Sequence, residues 1–347
     1  MNRTPTDLGF RQPAEWSPHR ACWVAFPYNA KEWGEPLAAA QAEFVALCRA
    51  IADPDPVTGG PRGETIELLA ANLAVLEQAR HALIGIPVNF HLIPYDDIWL
   101  RDCAPLFVTN PQRETAAVVF QFNVWGHKFD LPQDEQIALQ IAKGTGLPFF
   151  EYRLVLEGGS VETDGAGTCL TTRQCLLNPN RNPDLDQATL EKLLKSALGY
   201  ETILWLDEGL LNDHTDGHID TLVRFVAPGV AICMQPQSPD DPNAAVLDRI
   251  AAELATFKDA RGKTLQIIPI PSPGLVLDDA GQIMPASYVN FYIGNSTVVV
   301  PTYGTEFDQP AVAAIAACFP DRKTVGLSAK ALLTAGGAFH CITQPQP

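Results

Sequence analysis

The sequence predicts a single-domain α/β fold in which five similar units close around a common axis. Five stretches each place one polar or reactive residue at the start or end of an apolar strand; the five residues are Asp102, Glu157, His218, Asn290 and Cys341. They follow one another at intervals of 51 to 72 residues. Such a period indicates repeated supersecondary units rather than two unlike domains. If the units surround an axis, these distant residues converge in one polar pocket.

The composition is that of a globular protein with a large core. Of its 347 residues, 46% are apolar and 18% are charged, so we expect one domain spanning residues 1–347. The N-terminal stretch from Met1 to Asp7 has no apolar signal region, and no run of 18 apolar residues occurs. We therefore expect a cytoplasmic protein without a membrane span. The eight cysteines are irregularly spaced, which predicts neither a disulfide framework nor a zinc ribbon.

The net charge restricts the partners. A formal charge of −16 without any basic run argues against nucleic acid, whose phosphates require Lys and Arg. An anionic protein attracts a small cationic substrate and speeds its encounter. The oligomeric state stays open, a homo-oligomer included.

Helical periodicity places helices between the units. The first predicted helix, Pro36–Ala52, precedes the repeats and is broken by the glycines that follow it. The lengths of the later segments suit the connectors of α/β repeats. These predicted connectors are Leu68–Leu83, Asp134–Ala142, Asp186–Leu198, Ala244–Phe257 and Gln309–Cys318.

Cys341 is the candidate nucleophile. It follows Gly336-Gly337 at the edge of a short apolar run, where the backbone can approach a ligand closely. Thiols attack as thiolates, and a cation beside the sulfur lowers the pKa of the thiol. The alternative is one more buried structural cysteine.

His218 and Asp220 are the candidate proton carrier and its neighbouring carboxylate. They are two residues apart, so they share a face if the segment is extended, and histidine transfers protons near neutral pH. A polar pair at a strand terminus is the alternative. His214, Asp216, His218 and Asp220 also alternate and could bind a divalent metal. Because Gly217 interrupts that pattern and no further Cys or His cluster completes it, no metal is expected, and His214 is expected in a loop or on the surface.

Asp102, Glu157 and Trp99 form a candidate cation site. Two carboxylates at different angles can hold a flat guanidinium while an aromatic ring packs on its face. Each carboxylate could instead belong to a turn or an ion pair, with Arg101 neutralising Asp96 or Asp97.

These segments together resemble the agmatine deiminase and bacterial-type peptidyl-arginine deiminase family over nearly the whole chain. The resemblance implies a five-bladed, pseudo-symmetric α/β propeller, called a pentein. The motifs that carry it are Trp16-x-x-His19 with Trp23 and Phe26-Pro27, Trp99-x-Arg101-Asp102, Phe122-Asn-x-Trp125-Gly126, Leu156-Glu-Gly-Gly-Ser160, Asn178-x-x-Arg181-Asn-Pro183, Thr215-Asp-Gly-His-Ile-Asp220, Tyr288-x-Asn290-Phe291 and His340-Cys341-Ile-Thr-Gln344.

By this resemblance, Cys341 attacks the guanidinium carbon and His218 acts as the general acid and base. Asp102, Glu157 and Asp220 bind the guanidinium, Trp99 lines the pocket, and Asn290 reaches the substrate. A covalent amidino-cysteine intermediate forms and is hydrolysed, and no cofactor is required. The implied activity is the hydrolysis of agmatine to N-carbamoylputrescine and ammonia, a reaction of polyamine (putrescine) biosynthesis.

The sequence departs from the family pattern at Ala104, at Phe26 and in the Gly337-Ala-Phe-His-Cys341 ending, and an acidic residue expected near His214 is missing. Recognition of the distal end of the substrate is therefore open.

Three alternatives stay open at this point. A peptidyl-arginine or free-arginine deiminase would use the same residues. A basic residue placed to bind the carboxylate of the substrate would distinguish it, but Arg101, Arg181 and Arg224 cannot be placed from sequence. A thiol protease built on Cys341, His218 and Asn290 leaves the carboxylates unexplained. A ribosome-binding protein of the same fold has no use for any of them.

Overall fold

The structure, a computed structural model describing residues 3–347, contains five small sheets. Met1 and Asn2, which belong to the N-terminal stretch and to the expected domain, lie outside the described residues. The strands, grouped by sheet in chain order, are β1 (Ala21–Ala25), β2 (Thr65–Ala70) and β3 (Val88–Leu92); β4 (Leu106–Thr109), β5 (Thr115–Gln121) and β6 (Phe149–Val155); β7 (Glu162–Thr163), β8 (Thr168–Thr172) and β9 (Thr202–Leu206); β10 (Val223–Ala227), β11 (Val230–Gln235) and β12 (Gln266–Pro271); β13 (Tyr292–Ile293), β14 (Thr297–Thr302) and β15 (Lys323–Ser328); β16 (Gln344–Gln346) joins the first sheet.

The last four sheets share one connectivity. In each, the first strand pairs antiparallel with the second, and the second pairs parallel with the third, as β4, β5 and β6 do. A tight turn can join the antiparallel pair, whereas the parallel pair needs a crossover, which a helix supplies. The helices are α1 (Ala30–Trp33), α2 (Leu37–Ala52), α3 (Leu73–Ala82), α4 (Leu100–Cys103), α5 (Val124–His127), α6 (Ile137–Thr145), α7 (Arg173–Leu176), α8 (Gln187–Leu198), α9 (Ala244–Leu254), α10 (Asp308–Ala316) and α11 (Lys330–Leu333).

The two ends of the chain complete the first sheet together. Strand β16 pairs antiparallel with β1, Trp23 opposite Gln344, and β1 pairs parallel with β2. The C-terminal strand thus takes the place that β4 has in the second sheet. The Trp23 Nε1 donates to Gln346 Oε1 over 2.7 Å. The prediction of an α/β fold made of five units is confirmed. The last unit is joined to the first by the pairing of β16 with β1, and not by a covalent connection.

Each of the five marker residues lies just before the first strand of a sheet. Asp102 precedes β4, Glu157 precedes β7, His218 precedes β10, Asn290 precedes β13 and Cys341 precedes β16. Since these positions are equivalent in the repeated connectivity, they meet at one end of the arrangement. All five side chains are buried.

One predicted helix boundary is wrong. The segment Leu68–Leu83 was expected to be helical throughout, but its first residues belong to β2, and helix α3 starts at Leu73. Short apolar runs do not distinguish a buried strand from a helix. Asn72 ends the ambiguity, because its side chain accepts from the backbone of Ala74 and Val75 as an N-cap. The other predicted helices agree with α2, α6, α8, α9 and α10 within a few residues.

The cores lie between the sheets and the helices that cross them. Helix α2, for example, buries Ala40, Phe44, Leu47 and Ile51 on one face. All eight cysteines are free thiols, and only Cys318 is partly exposed. Within residues 3–347, no helix combines the length and the apolar character needed to cross a bilayer.

Candidate active site

Asp102 is fixed in the site by two hydrogen bonds, one from its own unit and one from the next unit. Its Oδ2 accepts from Trp125 Nε1 at 2.8 Å, and its Oδ1 accepts from the Gly159 backbone at 3.0 Å. Burial, helped by the negative charges of Asp220 and Glu157, raises the pKa of Asp102 to about 6, although His218 and the Trp125 hydrogen bond lower it. Its carboxyl group therefore changes charge within a physiological range.

Glu157 is completely buried and has a cationic partner on one side only. Arg181 Nε lies 2.7 Å from Glu157 Oε1, and Arg181 Nη1 lies 2.5 Å from Asp216 Oδ2. The other Glu157 oxygen, Oε2, has no hydrogen-bond partner among the described residues. Arg181 holds the carboxylate in place and leaves one oxygen for a ligand.

Asp220 is linked to the N-terminal segment through His340. The two ring nitrogens of His340 each lie 2.7 Å from a carboxylate oxygen, Nδ1 from Asp220 Oδ2 and Nε2 from Glu15 Oε2. Burial opposes ionisation of Asp220, yet His340, His218 and Arg224 lower the pKa of Asp220. Asp220 stays negative, and its Oδ1 is buried without a hydrogen-bond partner in the part of the chain that the structure describes.

Glu15 is the hub of this supporting network. Its carboxylate also contacts Arg101 Nη2 at 3.2 Å and Arg224 Nη2 at 2.9 Å. Burial works against the charge of Glu15, but Arg224, His340 and Arg101 hold its pKa well below the usual value. The alternative in which Arg101 neutralises Asp96 or Asp97 is wrong, because Arg101 pairs with Glu15.

Cys341 lies between Asp220 and Asn290. Asn290 Nδ2 donates to the Cys341 Sγ at 3.1 Å, and the sulfur lies 3.7 Å from Asp220 Oδ2. Burial, followed by the negative charges of Asp220 and Asp102, raises the pKa of Cys341 well above its ordinary value. The thiol is therefore protonated until a cation enters. Asn290 contacts the sulfur itself, unlike the third member of a protease triad, which orients the histidine.

His218 faces Asp102 with one ring nitrogen. Its Nδ1 lies 3.6 Å from Asp102 Oδ1, and its Nε2 has no hydrogen-bond partner among residues 3–347. Burial alone would lower the pKa of His218, but Asp102, Cys175 and Glu157 raise it well above the usual value. His218 precedes a tight 3-10 turn, Ile219–Thr221, and not an extended strand. The expected pairing of its ring with Asp220 is replaced by the contact with Asp102.

Gly159 shows how close these groups are. A Cβ atom on Gly159 would lie 2.6 Å from His218 Nδ1, 2.8 Å from Asp102 Oδ1 and 3.1 Å from Asp220 Oδ2. Real Cβ atoms do not make such contacts. The glycine is required because three polar side chains from two other units converge on this point.

A cavity of about 340 Å³ opens beside these groups. Trp99 is held by its Nε1, which donates to Asp97 Oδ2 at 2.8 Å, and it stacks on Trp33 with ring centroids 6.2 Å apart. Gly337 lies under Trp99 and Cys341, where a Cβ would be 2.5 Å from the indole and 3.2 Å from the sulfur. The lining residues are Glu32, Trp33, Asp97, Trp99, Trp125, Phe129, Leu131, Asn212, His214, Ile283, Met284, Pro285, Thr334, Ala335 and Gly336. These described lining residues include no Lys or Arg.

His214 belongs to this cavity wall and not to a metal site shared with its neighbours. Its ring packs edge-on against Trp125 and Phe129, while Asp216 pairs with Arg181 and Lys128. The alternation His214, Asp216, His218, Asp220 therefore does not converge on one ion. His214 lies in a turn, in line with the expected loop or surface position, but it is partly buried: burial lowers its pKa, and its ring lines the cavity.

The turn that carries Trp125 is strained. Val124, Trp125 and His127 all have left-handed backbone angles, with φ values of 56°, 54° and 60°. Left-handed conformations are uncommon for residues with a Cβ and persist where the surroundings enforce them. Here the strained turn delivers the indole N–H to Asp102.

The arrangement suits a buried planar cation near a nucleophile. Two carboxylate oxygens, Glu157 Oε2 and Asp220 Oδ1, are buried without donors, and buried acceptors of this kind are ordinarily satisfied. A guanidinium supplies several coplanar N–H donors and a positive charge. The structure brings together all the predicted site residues, Cys341, His218, Asp220, Glu157, Asp102, Trp99 and Asn290.

Four functional residues were missed by the sequence reasoning. Arg181, Trp125 and His340 appear within recognised motifs, but each contacts a residue 23 or more positions away in the sequence, so these contacts could not be deduced. Glu15 belongs to the loop-rich opening of the chain, and nothing in its local sequence distinguishes it from a surface carboxylate.

Comparison with known proteins gives a consistent result. The family model for Porphyromonas-type peptidyl-arginine deiminases matches residues 11–347. An agmatine deiminase from Stutzerimonas stutzeri is 36% identical, with 100% of this chain and 98% of the relative covered.

Solved structures agree with these sequence matches. The agmatine deiminase of Enterococcus faecalis superposes with a TM-score of 0.91 and 31% identity, covering 100% of this chain and 98% of that one. An amidinotransferase from Microseira wollei, with a TM-score of 0.52, 13% identity and coverage of 98% and 97%, shares the fold alone.

The Glu15 hub predicts a large stability difference. Glu15→Gln removes a buried negative charge and leaves Arg101, Arg224 and His340 without their shared partner, so we expect a loss of about 3–5 kcal/mol in the free energy of unfolding. Urea denaturation at neutral pH measures it. Since the pKa of Glu15 is depressed, the wild-type advantage exists above the ordinary glutamate pKa and shrinks as the pH falls through the folded value.

The matched control is Glu201→Gln. Glu201 pairs with Arg11 over 2.6 Å, but both side chains are about half exposed, so the expected loss stays below about 1 kcal/mol. Equal losses for the two variants would contradict the role of Glu15.

Proposed function

Because the chain belongs to the Porphyromonas-type peptidyl-arginine deiminase family, we propose that it hydrolyses agmatine to N-carbamoylputrescine and ammonia. The reaction replaces one nitrogen of a guanidinium by oxygen, and the enzyme is a hydrolase acting on a carbon–nitrogen bond. The agmatine deiminase relative and structure, similar along their whole length, support this substrate.

The observation that carries the proposal is the set of buried carboxylates beside a thiol. Asp102 and Asp220 meet His218 at the point next to Gly159. Glu157 lies two residues before this glycine, and one oxygen each of Glu157 and Asp220 lacks a donor within the described chain. Holding three carboxylates in a buried site is costly unless cations compensate them. A bound guanidinium would satisfy the free oxygens and would place its carbon near the Cys341 sulfur.

The substrate also activates the nucleophile. Burial and the carboxylates keep the thiol protonated in the empty site, and a guanidinium adds the positive charge that favours the thiolate. The Cys341 thiol loses its proton to solvent as the cation enters, and the sulfur then forms a bond to the guanidinium carbon, whose C=N electron pair moves onto nitrogen. His218 gives its proton to the departing nitrogen, the C–N bond breaks, and ammonia leaves an amidino-cysteine.

Hydrolysis of the amidino-cysteine completes the cycle. His218, now neutral, takes a proton from water, and the oxygen attacks the same carbon. The C–S bond then breaks, the sulfur leaves as thiolate and takes up the proton of the adduct's hydroxyl group, and the ureido product forms with the Cys341 thiol restored. The raised pKa of His218 suits the first step, in which it must carry a proton at neutral pH.

The outer cavity favours agmatine over arginine. Its charged lining residues within the described chain are the carboxylates Glu32 and Asp97, which suit the distal ammonium of agmatine. Free arginine would bring an α-carboxylate to the same place, where no described lining residue offers a cation. Arg101, Arg181 and Arg224 are all committed to buried carboxylates.

We expect ammonia release from agmatine and much slower release from arginine or an arginyl peptide. Cys341→Ala should abolish turnover of every substrate, whereas Cys318→Ala, a change of a partly buried thiol just after helix α10, should leave it intact. An ammonia assay on the three substrates measures this. Turnover of arginine without agmatine would overturn the substrate and leave the chemistry in place.

The acid limb of the pH profile should follow Asp102. The pKa of Asp102 is raised to about 6, so the group is ionised above that pH and loses its charge below it. We expect kcat/KM for agmatine to fall roughly tenfold per pH unit below about pH 6. Circular dichroism at each pH checks that the fold persists, and a constant kcat/KM down to pH 5 would refute the role of this carboxylate.

Gly159→Ala should remove activity while the fold survives. The added methyl would occupy the place where Asp102, Asp220 and His218 converge, and a displacement of about 1 Å can cost about 100-fold in rate. Gly144→Ala is the control. No atom lies within 4 Å of its Cβ position, so in helix α6 it should keep full activity and gain about 0.5–1 kcal/mol of stability. Steady-state kinetics and thermal unfolding of both variants test the comparison.

A further inference from the structure

A second group of side chains meets at the site and is not used by the reaction. Donor atoms of Glu157, Cys175 and His218 lie within 4.8 Å of one another, and all three residues are buried. Cys175 is on the short helix α7, where Thr172 caps its backbone N–H at 3.2 Å. The chemistry proposed above assigns this thiol no part.

Two atoms in this group are free to accept a ligand. His218 Nε2 and Glu157 Oε2 are buried and have no hydrogen-bond partner within residues 3–347. A buried polar atom without a partner costs about 1–3 kcal/mol. The guanidinium site accounts for the carboxylate oxygen, since its donors can reach Glu157. The imidazole turns Nδ1 to Asp102 and to the point beside Gly159, which leaves Nε2 for the side of Cys175, whose thiol raises the pKa of His218.

The donor types are those of a zinc site. Thiolate, imidazole and carboxylate together favour Zn²⁺ over Mg²⁺ or Ca²⁺, which prefer oxygen ligands. Around a tetrahedral Zn²⁺ the ligand atoms lie about 3.3–3.7 Å apart, so small side-chain rotations would close the observed spread. Asp102 beside His218 and Arg181 beside Glu157 orient the two ligands, as partners of metal ligands commonly do.

We propose that Glu157, Cys175 and His218 form an inhibitory Zn²⁺ site inside the substrate-binding centre. The inference rests on the proposed function for its inhibitory effect, because the ion takes the general acid–base and a guanidinium ligand together. Zinc and agmatine therefore exclude each other, so each raises the apparent dissociation constant of the other in proportion to its own concentration. The ion is a regulator of access and takes no part in catalysis.

The first experiment measures inhibition by ZnCl₂ in the ammonia assay. Wild-type enzyme should be inhibited competitively with agmatine, and Cys175→Ser should need at least about 30-fold more zinc, because a hydroxyl is a far weaker zinc ligand than a thiolate. The control Cys233→Ser, another buried thiol in β11, should keep the wild-type sensitivity. Equal inhibition of the Cys175 and Cys233 variants would overturn the proposal.

The second experiment needs no turnover. Cys341→Ser removes the nucleophile but keeps Cys175, so it should bind one Co²⁺ per chain with a thiolate-to-cobalt absorption band that Zn²⁺ abolishes and agmatine weakens. The band should vanish in the double variant Cys175→Ser, Cys341→Ser. A band present in the wild-type enzyme but absent from Cys341→Ser would place the ion on the nucleophile and refute the proposed ligand set.

The two experiments separate the two proposals. A Cys175-dependent cobalt band in a chain that releases no ammonia from agmatine would sink the proposed function and leave the metal site standing. Normal ammonia release from agmatine, without zinc inhibition and without a cobalt band, would refute the metal site and leave the proposed function standing.

Discussion

The structure depends on keeping carboxylates charged in a place that water does not reach. Asp102, Glu157 and Asp220 are all less than 5% exposed, and a buried charge without a partner is far too costly to survive. Each has a different solution. Arg181 holds Glu157, His340 holds Asp220, and Asp102 has only two neutral N–H donors and a nearby histidine. The negative charges of the three carboxylates are only partly compensated. Full pairing with protein cations would leave no free carboxylate oxygen for a cationic substrate to bind.

The unequal compensation sets the electrostatic order of the site. Asp220, paired with His340, has a lowered pKa, whereas Asp102, without a cationic side chain bonded to it, has a pKa of about 6. Asp220 therefore keeps its negative charge beside the sulfur, whereas Asp102 gains or loses a proton near pH 6. Their joint field keeps the thiol of Cys341 protonated in the empty enzyme. A substrate cation lowers the pKa of the Cys341 thiol again, so the nucleophile is activated by the molecule that it attacks. No reactive thiolate is formed before the substrate binds.

Much of the site could be predicted because the repeat places its residues at equivalent positions. Cys341, His218, Glu157 and Asp102 each precede a first strand, and a period in the sequence reveals that arrangement. The supporting side chains could not be predicted in the same way. Arg181 contacts Glu157 across a turn of the same unit, and Glu15 reaches His340 from 325 positions away. Such contacts depend on side-chain direction in three dimensions, which hydrophobic periodicity does not encode. The boundary of helix α3 failed for a related reason, since an apolar run is compatible with strand or helix until its cap is considered.

The closure of the ring by β16 has a direct consequence for the nucleophile. Cys341 lies just before β16. Among the described sheets, this is the one whose first strand comes after its other strands in the chain, and β16 is joined to β1 by strand pairing and not by a covalent connection. The position of the sulfur therefore depends on an interaction between the two ends of the polypeptide. Glu15 strengthens that interaction, because it lies near β1 in sequence and contacts His340, the residue before the nucleophile. The same carboxylate also receives Arg101 and Arg224 from two other units. The buried charge of Glu15 thus couples the closure of the fold to the placement of Asp220 and Cys341. The site therefore depends on a residue of the N-terminal loop.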